Sequence, residues 1–238
     1  WMGSPGAAAI SRPPTVPWVG EPGWETFQTA WDVAANFMMV HEHYLDFSYA
    51  PVLHGADIPA SIRSMPAFSE VEVTETTVRY TRVLPPARPT DWEAEAGDLE
   101  RDIDYKRTET GTFASPALHL QRWDVETPAG ETLTTTRIHA ITPIDDTSTH
   151  VVMTSARNYA LGRPAATERL RTFLAGVAQR DNAVLEMAAR HSGYQRWRDG
   201  VDFQADLASL RLRRIVDDLL SQEARPAGRA ASSSSTLA

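Results

Sequence analysis

Residues 41–54, HEHYLDFSYAPVLH, crowd three histidines, a glutamate and an aspartate into one short stretch beside two tyrosines. Imidazoles and carboxylates at that density suit acid–base chemistry or a metal site. Non-haem iron takes two histidines and a carboxylate on one side of the metal and leaves the other positions open for oxygen. His41 and His43 are two residues apart. On a helix they point about 200° from each other and cannot share an ion; on a strand they would share a face. His41 reads as an ordinary histidine. His43 and Asp46, three apart, are neighbours on a helix and within reach of a hydrogen bond. His54 lies beyond the helix in a segment entered through Pro51.

A second acid stands out far along the chain. At helical spacing the neighbours of Asp181 are Leu174, Val177, Val184, Leu185 and Ala188, so its carboxylate lies on an apolar stripe. A buried carboxylate must be neutralised, paired or bound to a metal. Two readings follow: an ion pair with an arginine such as Arg157, or at least partial exposure at the stripe's edge; and a metal ligand. His119, His139, His150 and His191 show no metal-like spacing, and those on strands line a pocket only if they face inward. No glycine-rich phosphate loop, nucleophile elbow or HExxH motif is present.

These residues must be held by the elements around them. The segment ETFQTAWDV alternates as a strand, and NFMMVHEHYLDF, starting at Asn36, has helical length and ends before Pro51. SEVEVTETTVRYTRVL reads as a hairpin in which Val71 and Val73 answer Val78 and Tyr80. ARPTDWEAEAGDLERD is polar and reads as a mobile loop near a binding site. ALHLQRWDVET, ETLTTTRIHAIT and THVVMTSARNYAL form an antiparallel meander. Two helices follow, TERLRTFLAGVAQRDNAVLEMAARH, with Pro164 at its start, and QADLASLRLRRIVDDLLSQE. Strands in one run with helices on either side predict an α+β fold with an antiparallel sheet.

Composition narrows the function. Of 238 residues 42% are hydrophobic and 23% charged, ordinary for a globular protein with a proper core. A net charge of −8 opposes nucleic-acid binding. No apolar run is long enough to span a membrane and no secretory signal opens the chain. Cysteine is absent, which excludes disulfides, thiolate metal sites and cysteine-held iron–sulfur clusters from this chain and fits a cytoplasmic setting. The opening at Trp1 rather than Met, and the Pro- and Gly-rich residues 1–24, read as a connector from an upstream domain. Residues 25–223 then form the main domain, and ARPAGRAASSSSTLA at the end, within 224–238, reads as a disordered tail.

ANFMMVHEHYLDFSYAPVLH resembles the helix and loop of Rieske non-haem iron oxygenases, N-Y-x-L-x-V-(D/E)-N-x-L-D-x-x-H-x-x-x-x-H, with Asn36, Glu42, Leu45, Asp46 and His54 on the pattern. The chain is most similar to the C-terminal catalytic domain of the vanillate O-demethylase oxygenase group. RIHAITPIDDTSTHVVMTSARNY matches that group's strand pair, and RDNAVLEMAARH its helix with the third iron ligand, at Asp181. ADLASLRLRRIVDDLLSQE resembles its C-terminal ending, and the opening WMGSP resembles the W-M-G-D-P that closes its Rieske domain. The resemblance implies a helix-grip fold, in which a curved antiparallel sheet wraps a long helix. It implies hydroxylation or oxidative demethylation of a small aromatic or related molecule, using dioxygen and a mononuclear Fe(II). Electrons would come through a reductase and a Rieske domain, either upstream or on a partner chain, within a homotrimer. Asp46 would relay electrons or orient a ligand, and His43 stands where the family usually has Asn; these two are the candidate catalytic residues.

The metal set implied by the resemblance is His54, Asp181 and position 49, where Tyr49 replaces a histidine. Neutral phenol, with a pKa near 10, is a poor ligand. Three explanations stand side by side. Tyr49 has disabled the iron site and left a non-catalytic ligand-binding or assembly subunit; Tyr49 is an unusual ligand; or His43 replaces the lost imidazole. The last is opposed by the six positions between His43 and Tyr49, which on one continuous helix point to different faces.

Overall fold

A computed structural model describes residues 16–64, 67–193 and 206–224. The expected connector up to residue 15, the WMGSP opening and the expected tail from 225 lie outside the described residues. Seven strands form one antiparallel sheet: β1 (Glu25–Val33), β2 (Glu70–Val73), β3 (Val78–Ala87), β4 (Tyr105–Ser115), β5 (Leu118–Glu126), β6 (Thr132–Asp145) and β7 (Ser148–Arg157). Their order is β1-β7-β6-β5-β4-β3-β2, so β3 to β7 form a continuous meander and β1 closes the far edge against β7. The β2–β3 hairpin has the expected register, Val71 opposite Tyr80 and Val73 opposite Val78. Register shifts between Leu84 and Ala87, Phe113 and Ser115, and Pro143 and Asp145 mark irregularities of the kind that bend a sheet.

The helices are α1 (Phe37–Leu45), α2 (Ala50–Leu53), α3 (Asp91–Gly97), α4 (Pro164–Ser192) and α5 (Leu207–Ala224). Asn36 caps α1, its side-chain oxygen accepting from the Met38 amide at 2.9 Å. Met38, Met39, Val40, His41, Tyr44 and Leu45 are all buried, so α1 has no solvent stripe and lies inside, between the sheet and the C-terminal helices. Leu185 and Ala189 of α4 and Leu212, Ile215 and Val216 of α5 join it in one core with Tyr80, Phe113, Ile141 and Val151 of the sheet. No helix among the described residues is long and apolar enough to cross a membrane.

Two elements depart from expectation. Residues 91–97 form helix α3 rather than a mobile loop. Thr90 and Glu93 make a reciprocal capping box, and Trp92, Ala94 and Ala96 are buried. Strand β4 carries no strand signal in the sequence, because its inward face reads Arg107, Glu109, Gly111 and Phe113 rather than as an apolar row. Gly111 stands opposite Tyr80, and a Cβ there would lie 2.3 Å from the Tyr80 ring, so the glycine gives that ring its place on the sheet.

Candidate metal centre

The centre begins where α1 stops. Asp46 caps its C-terminus in extended conformation, and its carboxylate accepts from the Ser48 amide at 2.8 Å and the Ser48 hydroxyl at 3.0 Å. This aspartate turn swings the chain out of the helix. The expected hydrogen bond from His43 to Asp46 is therefore not made. Pro51 sits in the first turn of α2, where its missing N–H costs nothing, and His54 ends that helix as its C-cap. Because the path turns between Leu45 and Ala50, Tyr49 folds back onto His43. The two rings stack at 4.1 Å between centroids and 14° between planes. The six-residue spacing that set His43 and Tyr49 apart on a continuous helix does not apply.

Asp181 of α4 completes the group. His54 Nε2 lies 3.0 Å from Asp181 Oδ1, and His43 Nε2 lies 3.4 Å from Asp181 Oδ2. All three side chains are buried. Neither contact is aligned as a hydrogen bond, since His43 Nε2 and Asp181 Oδ1 have no hydrogen-bond partner. Burial works to raise the Asp181 pKa, but the two imidazoles beside it hold the carboxyl down, to about 2. The arginine alternative is set aside by the same geometry: Arg157 is taken up by Glu25 and the carbonyls of Tyr159 and Ala160.

Two imidazoles and a carboxylate that converge without hydrogen bonding have the donor chemistry of a non-haem iron site. Two ligand atoms each roughly 2.1 Å from one ion and about 90–110° apart would lie roughly 3.0–3.4 Å from each other, the spacing of these contacts. Among the described residues, no group of three or more His, Asp or Glu side chains stands in an arrangement that could hold a metal ion as it is. The group fits iron by donor type and by its unpaired atoms, and a bound ion would still have to draw it together. Tyr49 is placed edge-on to His54, with centroids 5.9 Å apart, and face-on to His43. Burial, and then the charge of Asp181, push its phenol well above the usual tyrosine value.

His54, Asp181 and Tyr49 form part of the wall of a cavity of about 100 Å³, while His43 lines a smaller one on the other side of Asp181. Trp92, Trp123, Leu170 and Phe173 supply apolar walls, and Glu109, Gln121 and Arg137 supply polar ones. Trp92 stacks on Phe173 at 4.2 Å and donates to the Asp57 carbonyl at 3.0 Å, while Trp123 donates to Glu93 at 3.1 Å. Glu93 is itself gripped at 2.9 and 3.0 Å by the buried Arg107. The polar wall residues escaped sequence reading. An alternating in–out pattern through β5 and β6 was the available signal for Gln121 and Arg137, and Glu109 sits on the unpredicted strand.

The other histidines do different work. His41 is fully buried, edge-on to Phe113 at 5.1 Å, and donates through Nε2 to the Pro116 carbonyl at 3.0 Å. Burial pushes its pKa down to about 4. His119 and His139 flank Tyr44, with ring separations of 5.4 and 4.2 Å. Burial drives both well below the usual histidine value. His150 pairs with Asp32 at 2.6 Å in a more open position, and His191 is exposed near the end of α4.

Residues 33–222 match the family described as the Vanillate O-demethylase oxygenase C-terminal domain. The chain is 25% identical over 221 residues to the vanillate O-demethylase oxygenase subunit of Pseudomonas sp. (strain HR199 / DSM 7063), covering 87% of this chain and 61% of that protein. It therefore spans about three fifths of that relative's length. Among solved structures, dicamba monooxygenase bound to 3,6-dichlorosalicylic acid superposes with a TM-score of 0.84 at 20% identity, over 95% of this chain and 68% of that one. NdmA of Pseudomonas putida CBB5 superposes with a TM-score of 0.66 at 15% identity, over 90% and 56% of the respective chains. These likenesses establish the α+β fold as that of the Rieske oxygenase catalytic domain.

Proposed function

The chain belongs to the vanillate O-demethylase oxygenase C-terminal domain family, and from that premise we propose that residues 25–223 are the catalytic domain of a Rieske-type oxygenase. The reaction is dioxygen-dependent hydroxylation or oxidative demethylation of a small aromatic substrate. One observation carries this reading: His43 and His54 converge on the Asp181 carboxylate, all three from separate elements, and His54 and Asp181 open onto an apolar, aromatic-walled cavity. These three would hold mononuclear Fe(II), with His43 in place of the histidine that Tyr49 replaces. Bound iron would supply the centre for dioxygen chemistry, with two electrons from a Rieske cluster carried upstream or on a partner chain.

The chain's own residues do the rest. Tyr49 lies flat on His43 and fixes the plane of its ring. Asp46 holds the turn that makes that stacking possible and, by its place in the family pattern, lies on the path from the neighbouring cluster. Asp181 is set by α4, so the centre forms only when that helix docks on α1. Trp92, Trp123 and Phe173 exclude water and orient a flat ring. A Rieske domain and its reductase are the proposed electron donors, within a homotrimer.

A second reading, a metal-free ligand-binding module, is favoured by the tyrosine at position 49 and by the lack of a finished cage among the described residues. Turnover separates the two. Iron-loaded chain, mixed with a Rieske-domain protein, its reductase, NADH and an O-methylated one-ring aromatic, is expected to consume dioxygen and release formaldehyde. No release with every component present, or release with the reductase but no Rieske domain, contradicts the oxygenase reading.

A further inference from the structure

None of the residues lining the aromatic-walled cavity is exposed. A second pocket, of about 250 Å³, lies in the seam between α3 and α4, and its wall includes the exposed Asp91 and Thr172. The two spaces share three lining residues, Asp57, Trp92 and Phe173. These three are joined to one another: Trp92 lies flat on Phe173 at 4.2 Å and donates to the Asp57 carbonyl at 3.0 Å. A layer one ring pair thick thus parts the inner cavity from a pocket that meets solvent. What holds this layer differs on its two sides. Helix α3 is fixed to the sheet by the buried Glu93–Arg107 pair and by the bond from Trp123 to Glu93. Towards α4 the polar contacts are ion pairs at the surface, Glu95 with Arg169, Asp98 with Arg163 and Asp57 with Arg180. Such pairs hold weakly and are screened by salt, so the seam yields on the α4 side first.

Gly176 is the one glycine of α4. Inside a helix glycine costs stability relative to alanine, and no packing demands it here: the nearest atom a Cβ would meet is Arg180 Nη1, at 3.8 Å. Gly176 lines the outer pocket and not the inner one, so what its bare backbone preserves is the open space of that pocket. Of the ring pair, Trp92 is buried and tied by its N–H, whereas Phe173 is half-buried and held by the stack alone, which makes Phe173 the part that moves. We propose that the α3–α4 seam is the entrance to the inner cavity. A small molecule enters through the outer pocket, which Gly176 keeps clear, and passes when the Phe173 ring swings off Trp92. Phe173 and Gly176 thereby set the size of molecule that reaches the cavity. The entrance concerns access alone and does not rest on the oxygenase reading.

The chain has no cysteine, so one introduced thiol is the only target of a thiol reagent. Ala50→Cys sets that thiol on the inner cavity wall, where Ala50 is 3% exposed, and Val83→Cys, at a position 60% exposed, is the open reference. Labelling of each iron-free protein by methyl methanethiosulfonate, a small neutral reagent, is followed by mass. Ala50→Cys is expected to react at least about tenfold more slowly than Val83→Cys. Adding Phe173→Ala should raise the Ala50→Cys rate about tenfold. A cavity of roughly 150 Å³ holds benzene, so the outer pocket has room for a phenyl ring, and adding Gly176→Phe should lower that rate at least about fivefold. Neither change should move the Val83→Cys rate. A plug that slows labelling cannot be mistaken for damage, which speeds it, so Gly176→Phe decides alone if Phe173→Ala fails to fold. Equal rates for Ala50→Cys and Val83→Cys, no gain with Phe173→Ala in a folded chain, or a rate that Gly176→Phe leaves unchanged overturns the proposal.

Discussion

Helix α1 carries two histidines with opposite fates. His41 faces aromatic rings and a backbone carbonyl, and with His119 and His139 it belongs to a buried set that makes no ion pair with a carboxylate among the described residues. His43, two residues on, faces Asp181 and, through that carboxylate, His54. Both sets are buried, so burial does not separate them; the partner does. A carboxylate beside two imidazoles adds the anionic donor that a cation needs, whereas neutral rings among apolar groups and one another are packing groups. Histidine number is a poor guide to a centre, and a buried acid on another element is a good one.

The largest expected break in that comparison is Asp181→Ala. It should lower ferrous affinity by about 100-fold or more, measured by anaerobic titration, because it removes the group that the two imidazoles share. His41→Ala should do the opposite: lose about 2–4 kcal/mol of unfolding stability to the cavity it leaves, with ferrous affinity within about threefold of the unaltered chain. A smaller effect sharpens the same contrast. His119 is held below its unfolded value, so the unfolded chain takes up the proton first as pH falls. Stability should then drop by about 1 kcal/mol per histidine between about pH 6.5 and 5.5, and His119→Phe should flatten that limb in denaturant titrations. Smallest is Tyr49→Phe, which keeps the stack on His43 and should shift ferrous affinity less than about threefold.

Much of this was legible in the residues. Val71 and Val73 announced their partners across the β2–β3 hairpin, and the apolar surroundings of Asp181 marked it as a carboxylate in need of a cation. The fate of His43 was not legible, because it depends on where α1 stops. Asp46 and Ser48 end the helix through a local side-chain turn, and helical periodicity carried past that turn sends Tyr49 to the wrong face. Strand β4 was hidden for a related reason: its inward residues are charged and satisfied by partners far away in sequence, Arg82 for Glu109 and Glu93 for Arg107. Helix α3 looks like a polar loop because one of its three acids, Glu93, is spent on the helix's own cap and on Arg107. In β4 tertiary partners overrode the local pattern; at the end of α1 and the start of α3 local side-chain caps did.

The central claim is that His43, not Tyr49, joins His54 and Asp181 as the second imidazole. Ferrous iron content after anaerobic loading and desalting, compared for the unaltered chain, His43→Ala and Tyr49→Phe, tests it most directly. The account predicts about one iron per chain in the unaltered protein and in Tyr49→Phe, and loss of iron in His43→Ala. Iron kept by His43→Ala but lost by Tyr49→Phe would make the phenol the ligand and contradict the account. So would an unaltered chain that takes up none.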